Sequence, residues 1–171
     1  MRNLERVLSP SNKMVLILVY FVLLIGVATL APLLRQQFLT GPIVNATLFI
    51  STIILGVQAG ILVGLVPSLI ALSVGLLPSV LAPMVPFIMM GNAILIIGFN
   101  YLKEKNYWIG IICASILKFI FLFSTSSIVI NLLLKKEVAS QVAMMMGPCQ
   151  LFTAIIGGIV AYLFLRIIKR I

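Results

Sequence analysis

The chain has 171 residues, of which 63% are hydrophobic and 9% charged, with twelve Lys or Arg, three Asp or Glu and no histidine. Soluble domains carry about a quarter charged residues, so a water-exposed fold is excluded, because too few polar side chains exist to cover it. At roughly 20 apolar residues per transmembrane helix the length holds at most about seven spans, with no soluble domain beside them. The net charge of +9 does not indicate nucleic acid. The cations gather at the ends of apolar runs, where they set orientation in a lipid bilayer.

The first apolar run covers residues 13–34 and follows Arg2, Arg6 and Lys13. It exceeds the h-region of a signal peptide, about 7–15 residues, and is expected to remain as a helix. A second run, 42–57, opens at Pro42 and Asn45, and a third, 60–77, is joined to it by the uncharged stretch 57–60. The fourth run, 82–102, carries Pro83 and Pro86 near its start, a position helices tolerate. The fifth and sixth runs are 107–131 and 142–169. The expectation is a single all-α transmembrane domain over residues 1–171, a bundle of six transmembrane helices. With both termini in the cytoplasm, the inner ends hold Arg2, Arg6, Lys13, Lys103, Lys105, Arg166, Lys169 and Arg170, and the outer ends only Arg35, Lys135 and Lys136. That asymmetry selects the orientation. The outer connections 35–41, 78–82 and 132–141 are candidate lids.

Several chemistries are missing. Glu5, Glu104 and Glu137 all fall in terminal or loop positions, so no carboxylate or histidine stands in the membrane to relay a proton or hold a metal. Cys113 and Cys149 lie inside apolar runs and read as structural. No GxxxxGK[ST] loop occurs, so uphill transport would draw its energy from a partner. With Lys118 as the one conceivable base for a serine nucleophile, hydrolysis is disfavoured. No enzyme activity, cofactor or metal is expected.

The polar residues that remain inside the runs are the candidates for function. Lys118 falls near the middle of the fifth run, and a charge at that depth costs at least ~2.5–3.5 kcal/mol and usually faces a cavity, a partner or the bundle interior. It is either a ligand-facing residue or a lysine buried against backbone carbonyls or Ser115, and with no acid beside it in the membrane it either gives up its proton or receives an anion from outside. Asn92 in the fourth run and Gln150 in the sixth approach the same depth, and Thr125 shares the Lys118 face seven residues on. Each amide is equally explained as interhelical packing, and the argument lies in their convergence. Gly147-Pro148 predicts a broken helix just before Gln150, lining a cavity or merely kinked.

Small residues recur every fourth position at Gly56, Gly60, Gly64 and Ser68, and again at Ala154 and Gly158, a spacing that brings helices close or offers a flat face to a partner. The stretch from Gly56 to Ser68 resembles the glycine-rich helical hairpin of the substrate-binding S components of energy-coupling factor (ECF) transporters. The size and number of spans, and the missing ATPase, agree with that family. The resemblance implies a small membrane protein of the bacterial or archaeal cytoplasmic membrane. It would capture a vitamin or similar micronutrient from outside and hand it to a T component and two ATPase subunits. One feature departs from the pattern: where the family often has Ala-xxx-Ala on the first span for docking, this chain has Gly26, Ala28 and Ala31 at other spacings.

The expectation is therefore a substrate-capturing subunit holding a small anionic micronutrient through Lys118, Asn92, Gln150 and Thr125, with Gly56, Gly60, Gly64, Ala28 and Ala31 at helix or partner contacts. Two other classes remain open: a non-transporting membrane scaffold of the cell-shape (MreD) type, and an ATP-independent channel or facilitator.

Overall fold

The computed structural model describes residues 10–75, 79–133 and 142–171, and these form helices and short connections without a strand. Helix α1 spans Pro10–Leu30 and passes through a 3-10 turn, Ala31–Leu34, into α2, Gln37–Ile54. After a two-residue turn, α3 runs Val57–Ser73. A second 3-10 turn, Ser79–Met84, leads into α4, Val85–Leu102. Helix α5 covers Tyr107–Leu133 and α6 covers Pro148–Ile167, preceded by a helical turn at 142–146. Five of these spans are long and apolar enough to cross a membrane, and α3 is a shorter apolar helix. The chain is read as a multi-pass membrane protein, since helices satisfy their backbone groups internally in lipid.

Most spans lie close to their expected bounds, and two connections differ. Residues 57–60 are already helical, and the turn is Leu55-Gly56, with Gly56 at φ +88°, a conformation that suits a residue lacking Cβ. Helix α2 starts five residues earlier than expected. Pro42 is therefore a buried interior residue, not a helix start, and removes one backbone hydrogen bond from α2. As a consequence Asn45 sits two turns deep in the bundle instead of at its rim. The expected lid at 35–41 shrinks to Arg35-Gln36, with the rest drawn into α2. The lid at 132–141 falls mostly outside the described residues, as do Arg2, Arg6, Lys135 and Lys136.

Lys13, the 103–105 loop, Arg166, Lys169 and Arg170 share the end of the bundle that carries the α1 start and the α6 end; Arg35 lies at the opposite end. The core has two apolar clusters. One, near the terminal end, holds Leu48, Phe49, Leu95, Phe99, Ile111 and Leu165, and the other, near the far end, holds Met84, Leu122, Val129, Val142 and Met146. Helices α2 and α6 cross most closely. A Cβ on Gly41 would stand 2.7 Å from Thr153 Cβ, and one on Gly157 would stand 2.7 Å from Asn45 Cβ and 2.8 Å from the Pro42 carbonyl. Small residues permit this approach, and interhelical packing is what holds a bundle together in lipid. By contrast, α1 leaves a broad apolar face exposed, from Met14 through Val22 and Leu23 to Leu30.

Candidate functional site

Between the two apolar clusters lies a cavity of about 120 Å³, lined by residues from all six helices. An apolar cavity of ~150 Å³ accommodates benzene, so this space suits a compact molecule of a few heavy atoms. Lys118, Asn45, Asn92 and Gln150 supply its polar groups, Val44, Val63, Ile88, Met145 and Met146 its apolar walls, and Gln37 and Thr40 reach it from the first turn of α2. Its walls include helix irregularities. Pro67 interrupts α3 as Pro42 interrupts α2, and α6 is broken at Gly147-Pro148. Each break leaves backbone groups short of a helix partner, which a membrane tolerates where a cavity is lined.

Lys118 is 3% exposed and is gripped by two amides: Nζ donates to Asn45 Oδ1 at 2.6 Å and to Asn92 Oδ1 at 2.8 Å. An ammonium only donates, so both amides must turn their oxygens toward it. Their nitrogens are fixed by that choice. Asn45 Nδ2 donates to the Gly41 carbonyl at 2.9 Å, and Asn92 Nδ2 donates across to the Gly64 carbonyl at 2.9 Å. Gln150 Nε2 reaches back over the break in α6 to the Met145 carbonyl at 3.1 Å.

Hydrogen-bonding capacity is left over at this cluster. In its protonated form the Lys118 amine carries three protons for two acceptors among the described residues, and each amide nitrogen has one of its two protons engaged. The Asn45 and Asn92 oxygens each accept one bond from Lys118 and keep a second lone pair, so the two amides leave both a donor and an acceptor position. The chain's three acids are Glu5, Glu104 and Glu137, none of them within a membrane-spanning run. Among the described residues Lys118 Nζ is held by the two amides and by no carboxylate. A group carrying negative charge fits this arrangement. Among the described residues no cluster of metal-ligating side chains occurs.

The structure brings together three of the four residues singled out from sequence, Lys118, Asn92 and Gln150. It places Thr125 elsewhere: its hydroxyl donates to the Phe121 and Leu122 carbonyls of its own helix, and it does not line the cavity. Ser115 is buried but does not hold the lysine. Asn45 went unrecognised as a ligand of Lys118. Its signal was the wrongly placed start of α2, since a helix beginning at Gln37 carries it to the depth of Lys118.

The small residues also find their places. Gly56 closes the α2–α3 turn, while Gly60 packs toward Thr52 and Gly64 against Asn92, where an added Cβ would stand 3.1 Å away in both cases. Ala28 and Ala31 are buried, and Ala28 also lines the cavity. Gly60, Gly64, Ala28 and Ala31 are filled from within the chain, whereas Gly56 has open space beside it.

No protein-family model, curated protein or solved structure matches this chain. Its function is therefore argued from the cavity.

Proposed function

We propose that the chain is the substrate-capturing membrane subunit of an ECF-type, ATP-driven uptake system for a small anionic vitamin or micronutrient, and that the Lys118 cavity holds its anionic group. The observation that carries this reading is a membrane-buried lysine in a cavity, held by two amide oxygens and by no carboxylate among the described residues. A buried cation is costly, and an incoming anion offsets that cost. In this reading the termini are cytoplasmic, as the cation asymmetry favours, and the cavity is loaded from the far side through Gln37 and Thr40. The glycine-rich stretch of α3 supports the ECF assignment. Since Ala28, Ala31, Gly60 and Gly64 are covered, a T component and its ATPases would dock elsewhere, and the exposed apolar face of α1 offers the largest area.

The test is affinity co-purification followed by transport. The tagged protein expressed in its native host should retain a T component and two ATPases, and liposomes holding that assembly should accumulate solute only with internal ATP. Accumulation by the protein alone would instead indicate a facilitator.

A second reading is favoured by the two short hydrogen bonds themselves: Lys118, Asn45 and Asn92 would form an interhelical clasp in a scaffold of the cell-shape type. Under it, no solute co-purifies, and replacing Lys118 changes stability alone.

A further inference from the structure

The Lys118 cavity constrains its occupant by more than the sign of a charge. Among the described residues Lys118 is the one charged side chain in the lining, which holds no acid, no arginine and no aromatic ring. Gln150, the third residue of α6, also lines the space, so the positive end of that helix dipole lies beside it. One negative charge is matched there. A second would be buried in a membrane-spanning bundle without a partner, at the cost that breaking a buried ion pair also carries.

The donors around the lysine suit two oxygens set close together. In its protonated form the Lys118 amine has a third proton, and the Asn45 and Asn92 amide nitrogens each have a second, beyond the bonds made among the described residues. A carboxylate has one oxygen for an ammonium proton and one for an amide proton, and both bonds are charge-assisted. A phosphoryl group brings about two charges and three acceptor oxygens, for which arginine forks are the usual receptors. An α-amino acid brings a second ammonium, which would stand beside Lys118 with no acid in the described lining to offset it.

Next to this cluster the walls are aliphatic or thioether, from Val44, Val63, Ile88, Met145 and Met146. Beyond the amides, polar side chains return toward the far end, at Ser68 on α3 and at Gln37 and Thr40 on α2. Gln37 and Thr40 precede Asn45 by eight and five residues, which at about 1.5 Å per residue puts them about 12 and about 8 Å along the helix from it. The carbons that follow an anionic group at Lys118 therefore meet apolar surface, and the volume of about 120 Å³ admits a few of them.

We infer, resting on the reading of this cavity as an anion receptor though not on the ECF assignment, that its substrate class is a monocarboxylate with an apolar segment next to the carboxylate and no α-amino group. The carboxylate sits against Lys118 and the amide nitrogens of Asn45 and Asn92. The apolar segment lies between Val44, Ile88 and Met145, and any larger remainder extends toward Gln37 and Thr40.

The test is calorimetric titration of the dialysed full chain in detergent, at neutral pH, with butyrate, 2-aminobutyrate, benzoate, benzamide, phthalate and inorganic phosphate. Butyrate and benzoate should bind. Benzamide, which loses the charge, should bind about tenfold more weakly than benzoate. Phthalate, 2-aminobutyrate and phosphate, each with a charge left unmatched, should bind about a hundredfold more weakly than the matching monocarboxylates. These comparisons need the wild type alone. K118M should abolish binding of both monocarboxylates; M145Q, similar in shape but polar, should weaken it about fivefold, and M145L should retain it. Phthalate or phosphate binding as tightly as benzoate, 2-aminobutyrate as tightly as butyrate, or an unchanged affinity in M145Q would overturn the monocarboxylate class, and loss of that binding in K118M would leave the anion receptor in place. Benzamide binding as tightly as benzoate, or full benzoate affinity in K118M, would overturn both. Binding by none of the probes would overturn the class alone, since the anion receptor is decided separately by the solute extracted from the protein.

Discussion

The terminal half of the bundle and its middle layer handle polar groups in opposite ways. Near the termini, Phe49 meets Phe99 edge-on at 4.8 Å, Phe99 meets Tyr107 at 5.5 Å, and buried Ser51 and Thr52 return their hydroxyls to the Leu48 carbonyl of their own helix. That half is held mainly by shape, with one side-chain hydrogen bond between helices, from the Tyr107 hydroxyl to the Gly158 carbonyl. In the middle layer the polar contacts cross between helices: α5 to α2 through Lys118 and Asn45, α5 to α4 through Lys118 and Asn92, and α4 to α3 through Asn92 and Gly64. Interhelical hydrogen bonds in membranes contribute only about 0.6 kcal/mol each, less than a buried charge costs. On that comparison these bonds alone do not offset a charged lysine at this level, and the proposed reception of an anion would.

The contrast can be broken by mutation, beginning in the shape-held half. Phe99→Ala should lower stability most, by about 3 kcal/mol through the void it leaves, while the polar groups of the cavity stay in place; thermal unfolding of the purified protein checks this. Gly157→Ala should cost about 2 kcal/mol, because its Cβ would meet Asn45 Cβ and the Pro42 carbonyl, neither of which can move aside alone. It should also weaken solute retention, since Asn45 is pushed off Lys118, and the two effects together would show that α6 backs the site. Gly64→Ala is gentler, with 3.1 Å to Asn92 Cβ, and should cost less than about 1 kcal/mol while shifting Asn92. Thr125→Val should change solute retention not at all, because its hydroxyl serves its own helix.

Much of this arrangement was legible in the sequence, for reasons that differ by residue. The helices were visible because apolar runs in a membrane protein are uninterrupted, and Lys118, Asn92 and Gln150 stood out as polar residues at one depth. The broken start of α6 was readable from Gly147-Pro148, since proline and glycine act through local backbone chemistry. Asn45 was not readable, because Pro42 looks like a helix start and is in fact tolerated inside a packed helix, as Pro67 is. Thr125 was misplaced because shared helical face does not tell a cavity from a back-bonded hydroxyl. Gly157 was passed over for the same kind of reason: its neighbours Ala154 and Gly158 fit a four-residue spacing, and only the α2–α6 crossing reveals which glycine touches Asn45.

The claim that Lys118 awaits an anion is tested most directly by Asn45→Asp, which places a carboxylate of the same shape 2.6 Å from the ammonium. Wild type and N45D, purified side by side, would be extracted and analysed by mass spectrometry, with thermal unfolding measured on each. The account predicts a small organic anion in the wild type, its absence from N45D, and an unfolding temperature in N45D that is equal or higher, because the internal carboxylate takes the place of the solute. No anion in the wild type, or equal amounts in both proteins, would contradict it and leave Lys118 as a clasp between helices.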